Sequence, residues 1–348
     1  MDIDLDRLIR EHLKPLLKSP NIASGERSGI LLDANENSFG SPLKKWYHRY
    51  PDPQFKQLKE AIANIKRVDP SMIFLGNGSS ECVDLLIRLF CEPGLDHIIV
   101  CPPTYSWYER AAQINKVAVK QVPLTPSFQI DLEGLEAAID PGTKMIFLCS
   151  PNNPTGNGLD REDIEMVLNN FDGIVVVDEA YINFSRHRSF LSELKDYPNL
   201  VVLQTFSTAW GLAGLRLGMA FASVEIKEAL QVLRPSHALS TPVAELAAEA
   251  LKGLEQLNEL TRATVQERHR MKNELSALSV VENVFESEAN FILVRVGDAK
   301  AVHQFLLEKN ISVKDCSDVP FCENCLRITI GTSEQNQRLL EVLKKFHR

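Results

Sequence analysis

The residues best suited to chemistry sit where apolar runs end. Residues 200–203, all leucine or valine, read as a buried strand and break into Thr205, Ser207 and Thr208; Gly211, Gly214 and Arg216 follow. Small hydroxyls at a strand end, a glycine-containing turn and one arginine suit an anion such as a phosphate. An ordinary strand-loop-strand connection with a surface arginine has the same ingredients. A second run of Ile and Val, 174–177, ends in Asp178-Glu179-Ala180-Tyr181, where the aspartate is either a functional carboxylate or a helix cap. A third strand end carries Ser150-Pro151-Asn152-Asn153-Pro154-Thr155-Gly156, which as a lone motif could be a plain turn.

The surrounding pattern explains what must hold these ends in place. Strands are expected at 72–75, 98–101, 117–122, 144–149, 174–178 and 200–203, several of them apolar on both faces. Helices at 55–65, 81–90 and 161–169 interleave with them. That alternation predicts an α/β fold with a mainly parallel sheet covered on both sides, in which ligands bind at the carboxyl ends of the strands. An N-terminal arm, residues 1–41, begins with an amphipathic helix at 6–17 and a polar linker at 19–28. A large domain is expected over 42–238 and a smaller α/β domain over 239–348. The latter opens with one long helix, 241–277, with Thr241 as N-cap, Pro242 in the first turn and Gly253 as a possible break. Strands at 280–285, 291–296 and 326–330 and helices at 299–308 and 333–346 complete it.

Length and composition bound the function. A chain of 348 residues, 44% hydrophobic and 24% charged, is globular and long enough for about two domains. A net charge of −8 argues against nucleic acid as the main partner. No apolar run is long enough to cross a bilayer, and the charged N-terminus is unlike a signal peptide, so a soluble cytoplasmic protein is expected. The odd count of seven cysteines fits reduced, buried thiols; Cys322 and Cys325 have CxxC spacing with Cys316 nearby, but without a second pair or a close histidine no metal is expected.

Taken in order, the blocks DANEN, RYPDPQ, GNGSSE, PPTYSWY, SPNNPTG, VVVDEAY, AWGLAGLRLG and LRITIGT resemble the histidinol-phosphate aminotransferase family, class II enzymes among the fold-type I pyridoxal-phosphate transferases. The resemblance spans almost the whole chain. It implies pyridoxal 5′-phosphate as cofactor, with Asp178 facing the ring nitrogen, Asn153 and Tyr181 the 3-hydroxyl oxygen, and Tyr105 the ring face. Gly78, Ser79 and Ser80 at a helix start, with Ser207 and Arg216, would hold the phosphate. Tyr50 would reach that phosphate from the other subunit of a homodimer. Arg327 would clamp the substrate carboxylate, and Asn35 and Lys314 would contact substrate. The implied reaction exchanges an amino group between histidinol phosphate and 2-oxoglutarate. A threonine-phosphate decarboxylase-like lyase, or a relative that binds without turnover, are the alternatives.

The central departure is Thr208, which stands where the family has its Schiff-base lysine. A threonine hydroxyl forms no imine and is a poor base near pH 7; loss of general-base catalysis alone costs roughly 10²–10⁴-fold. With every other cofactor residue in place, a substitution made to trap a ligand, or an artefact at a modified residue, accounts for Thr208 better than a natural non-catalytic lineage. Two smaller departures touch the substrate phosphate: Leu16 replaces a tyrosine of the family's arm, and Lys314 replaces an arginine, keeping the charge but not the fork.

Overall fold

The computed structural model describes residues 4–18 and 29–346; the expected linker at 19–28 lies outside them. Its main sheet has seven strands: β1 (Ile73–Gly76), β2 (His97–Val100), β3 (Ala118–Gln121), β4 (Thr143–Cys149), β5 (Ile174–Asp178), β6 (Leu200–Thr205) and β7 (Gly218–Phe221). Their order is β1-β7-β6-β5-β4-β2-β3. The five strands β2 to β6 pair in parallel, and β7 runs antiparallel between β6 and β1.

Alternation along the strands builds two cores. Ile146, Leu148, Val175, Val177 and Val202 face helices Lys56–Lys66 and Arg161–Asn170, while Met145, Phe147, Ile174, Val176 and Val201 face Ser79–Phe90 and Trp107–Ile114. Because both faces are buried, the sheet is nearly continuous in Ile and Val, and the polar residues are left at the strand ends.

Strand β7 was not foreseen in the sequence, and it shapes the site. Gly218 pairs with Thr205 at the end of β6 and with Gly76 at the end of β1. An antiparallel strand that starts where two neighbours stop brings the Ser207–Arg216 loop against the start of helix Ser79–Phe90. The packing is backbone on backbone: a Cβ at Gly218 would lie 2.1 Å from the Ser79 amide nitrogen.

A second sheet, ordered β10-β11-β9-β8, is formed by β8 (Val281–Val284), β9 (Phe291–Val296), β10 (Lys314–Asp315) and β11 (Cys325–Thr329). Helices Leu254–Ser276, Ala299–Glu308 and Ser333–Leu343 cover it through Met271, Leu275, Val302, Leu306, Leu339 and Leu340. The long helix expected over 241–277 is two helices, Thr241–Leu251 and Leu254–Ser276, parted at Gly253. The first packs by Ala247 and Leu251 on the main core and the second by Met271 and Leu275 on the other, so one straight helix could not serve both. Ser240 is the N-cap rather than Thr241.

The expected helix at 6–17 is also interrupted. Leu5–Leu8 stops, Arg10 takes an extended backbone, and Lys14–Lys18 resumes after a short 3-10 turn. Arg10 donates through its amide to Leu89 O at 3.1 Å and through Nη1 to Arg88 O at 3.0 Å, capping carbonyls at the end of helix Ser79–Phe90. All seven cysteines are free and buried, and no described helix is long and apolar enough to cross a membrane.

Candidate functional site

A cavity of about 170 Å³ opens at the carboxyl ends of β4, β5 and β6. Ser79, Ser80, Tyr105, Asn153, Asp178, Tyr181, Ser207, Thr208 and Arg216 line it, together with Cys149, Ala180 and Thr205. Nine residues singled out from separate blocks of sequence are thus neighbours in space.

One end is built for an anion. The twelve-residue helix Ser79–Phe90 starts here, so its first N–H groups have no intrahelical acceptor and its dipole is positive. Gly78 precedes it at φ 78°, and a Cβ there would meet Arg216 Nη2 at 2.6 Å. Only glycine leaves the guanidinium that close to the helix end. Arg216, itself left-handed at φ 53°, donates to Ser207 Oγ at 3.3 Å and to Ala213 O at 3.2 Å. Thr205 steadies Ser207: its hydroxyl donates to Ser207 Oγ at 3.0 Å and accepts from the Ser207 amide at 3.1 Å.

The other end holds a buried carboxylate. Asp178 is 3% exposed at the end of β5. Tyr108 donates to Oδ2 at 2.7 Å, and the Ala180 amide donates to Oδ1 at 3.0 Å. The Asp178 pKa is raised, burial outweighing these two hydrogen bonds, which act in the opposite direction. Tyr108, fully buried and stacked on Phe147 at 4.7 Å, is held protonated because a phenolate beside Asp178 in a dry core is unfavourable. The sequence reading gave Tyr108 no role; the available signal was a second tyrosine at the end of the PPTYSWY block, three residues after Tyr105, in a helix that also carries Glu109, Arg110 and Gln113.

Between the ends, Asn153 Nδ2 donates to the Tyr181 hydroxyl at 3.2 Å, and Arg327 Nη1 donates to Asn153 Oδ1. Arg327 lies over the Phe291 ring, 5.3 Å from its centroid, so the second sheet brings its cation to Asn153 at the edge of the main cavity. Burial lifts the Tyr181 phenol above its ordinary value, making it a donor rather than an anion. The Thr208 hydroxyl donates to Ala180 O at 2.6 Å.

The remaining expected residues lie apart. Lys314 is exposed and pairs in register with Arg327 across β10 and β11, which puts both side chains on one face. Asn35 is exposed at φ 54° in the arm. Tyr50 is outside the cavity of its own chain, 54% exposed and stacked on His237 at 4.9 Å. Leu16, 53% exposed, lies in helix Lys14–Lys18 and does not line the cavity.

Comparison with known proteins identifies the family and the fold. The family model for aminotransferase class I and II matches residues 31–343. The histidinol-phosphate aminotransferase of Cytophaga hutchinsonii is 45% identical over 99% of this chain and 100% of its own length. Among solved structures, histidinol-phosphate aminotransferase from Sinorhizobium meliloti, in complex with pyridoxal-5′-phosphate, superposes with a TM-score of 0.79 at 25% identity, covering 90% of this chain and 89% of that one. L-threonine-O-3-phosphate decarboxylase from Porphyromonas gingivalis gives 0.74 at 25% identity, covering 86% and 91%. By fold, by the cluster of strand-end residues and by sequence over nearly its full length, the chain belongs to the class I and II aminotransferase family.

Proposed function

We propose that this chain is a pyridoxal-phosphate aminotransferase of the histidinol-phosphate type, working in histidine biosynthesis as a cytoplasmic homodimer. It would exchange an amino group between histidinol phosphate and the 2-oxoglutarate/glutamate pair. The observation that carries the reading is one cavity with an anion cup at one end and a buried, hydrogen-bonded Asp178 at the other.

The residues fit the cofactor. Ser79, Ser80, Ser207 and Arg216 would hold its phosphate, with Gly78 and Gly218 keeping the cup free of side chains. Asp178 would face the ring nitrogen, Asn153 and Tyr181 the 3-hydroxyl oxygen, and Tyr105 the ring. When bound, pyridoxal phosphate supplies an electron sink for bond breaking at the substrate's α-carbon. Asp178 keeps the ring nitrogen protonated only while it is itself ionised, which is what the Tyr108 and Ala180 hydrogen bonds favour. Arg327 presents a planar fork for the substrate carboxylate, held in place by Asn153. Lys314, on the same face, supplies a second cation for a substrate that also carries a phosphate.

Thr208 limits the chain as it stands: its hydroxyl proton is committed to Ala180 O, and at neutral pH it neither bonds covalently to the cofactor nor accepts a proton. A second copy would supply Tyr50. Ile30, Leu32 and Phe39 of the arm and Trp46 and Tyr50 just beyond it are exposed apolar side chains that such a copy would cover.

The test is Thr208→Lys. Amino transfer from histidinol phosphate to 2-oxoglutarate is expected to rise by at least roughly 10²–10⁴-fold. Decarboxylation of threonine phosphate by that variant instead would move the assignment to the lyase. Absence of both reactions would leave a binding protein.

A further inference from the structure

Position 208 also decides which form of the cofactor the cavity can hold. Thr208 Oγ1 spends its one proton on Ala180 O at 2.6 Å, so toward the cavity this hydroxyl has only lone pairs to offer. Ala180 O, also at the cavity wall, is an acceptor whatever happens around it. Thr208 Oγ1 and Ala180 O therefore offer the cavity acceptors only, while the donor, the Tyr181 phenol, stands beside them on the 3-hydroxyl side.

This selectivity rests on the cofactor reading above. With the ring nitrogen at Asp178, the 4-substituent is para to it, flanked by the 3-hydroxyl and by the arm to the phosphate. Thr208 follows the cup residue Ser207 in the chain. Its hydroxyl is tied to Ala180, the residue before Tyr181. It thus bridges the two groups between which the 4-substituent must lie. An aldehyde there is an acceptor facing acceptors. An aminomethyl group is a donor facing acceptors, and each unmatched buried polar group is costly. A lysine would reverse the order by bonding to the aldehyde carbon; threonine has no such route.

The geometry points to a site selective for the amine form: this chain binds pyridoxamine 5′-phosphate in preference to pyridoxal 5′-phosphate. The test is calorimetric titration of the cofactor-free chain, in amine-free buffer, with pyridoxamine 5′-phosphate, pyridoxal 5′-phosphate and 4-deoxypyridoxine 5′-phosphate, whose methyl group reports the cup and ring alone. The expected result is a preference of about tenfold or more for the amine over the aldehyde, the scale of one buried donor-acceptor mismatch. Thr208→Ser keeps it. Thr208→Val, which removes the hydroxyl lone pairs, narrows it at least about threefold, whereas a purely structural role for Thr208 would shift all three ligands together. Thr208→Lys inverts it. Equal or tighter binding of the aldehyde by the unaltered chain, or a preference unchanged in Thr208→Val, overturns the proposal while binding of the deoxy probe leaves the cofactor reading standing. Failure of all three ligands to bind removes both.

Discussion

The Tyr108 hydroxyl donates to Asp178 Oδ2 at 2.7 Å in a core where both residues are almost wholly shielded from water. The pair joins a helix on one face of the sheet to the end of its central strand. Removing the donor should therefore change a charge rather than a shape. Tyr108→Phe keeps the ring stacked on Phe147 and should raise the pH at which Asp178 takes up a proton, read from the carboxyl carbon by NMR. Affinity for pyridoxal phosphate should fall roughly tenfold or more, since a hydrogen bond to a charged group is worth about 1.5–3 kcal/mol. An unmoved Asp178 titration would remove Tyr108 from this role.

Arg327 reaches the cavity from the second sheet through Asn153. Arg327→Lys keeps the charge and gives up the planar fork. Binding of 2-oxoglutarate to the cofactor-loaded chain should weaken by roughly tenfold, while cofactor affinity changes by less than about threefold. Equal losses for both ligands would mean that Arg327 only supports Asn153.

Lys59, on helix Lys56–Lys66, is 8% exposed. Burial lowers its pKa to about 7, and Lys227 and Arg234 push in the same direction, with Asp52 opposing. An unfolded lysine keeps its proton to about pH 10.4. Folding therefore releases a proton between those values, and stability rises with pH across that window. Below pH 7 the full cost of a buried ammonium is present. Lys59→Met should stabilise the protein by on the order of 1–3 kcal/mol at pH 7 and below. The gain should fade toward pH 10 in urea unfolding curves, and a gain independent of pH would point to packing alone.

Glu267 ties helix Leu254–Ser276 to helix Ser333–Leu343. Arg270 donates to it, as do Asn336 Nδ2 at 3.0 Å and Ser333 Oγ at 3.1 Å, and its pKa is lowered to about 2. A carboxylate depressed on folding contributes stability above its unfolded pKa, near 4.3, and loses it as pH falls toward 2. Glu267→Gln should lower the thermal midpoint at pH 7, with the deficit closing between about pH 4.5 and 2.

How far the sequence foretold this site depends on which physical signal each residue leaves. Strands such as Ile174–Asp178, buried on both faces, announce themselves as β-branched runs, and their polar ends are conspicuous for the same reason. That made Asp178, Asn153, Ser207 and Arg216 legible. Tyr108 was silent because its partner, Asp178, is seventy residues away in sequence and meets it only when the helix packs on the sheet. Strand Gly218–Phe221 is four residues long and opens with a glycine that reads as a turn; only its pairing with Gly76 and Thr205 makes it a strand. Gly253 marked a break as possible, but that the helix does part there follows from two cores claiming one apolar stripe, a competition no local pattern records.

The close approach at Gly218 separates holding a ligand from transforming it. The cup is closed by backbone meeting backbone, with contributions from Gly78, Ser79 and Gly218 that owe nothing to the side chain at 208. On the proposed function, a single substitution at 208 would remove or restore the reactive group while leaving this cup, and with it the hold on a phosphate ester, unchanged. Receptor and enzyme are then neighbouring states of one scaffold, and a descendant of either could become the other without refolding anything.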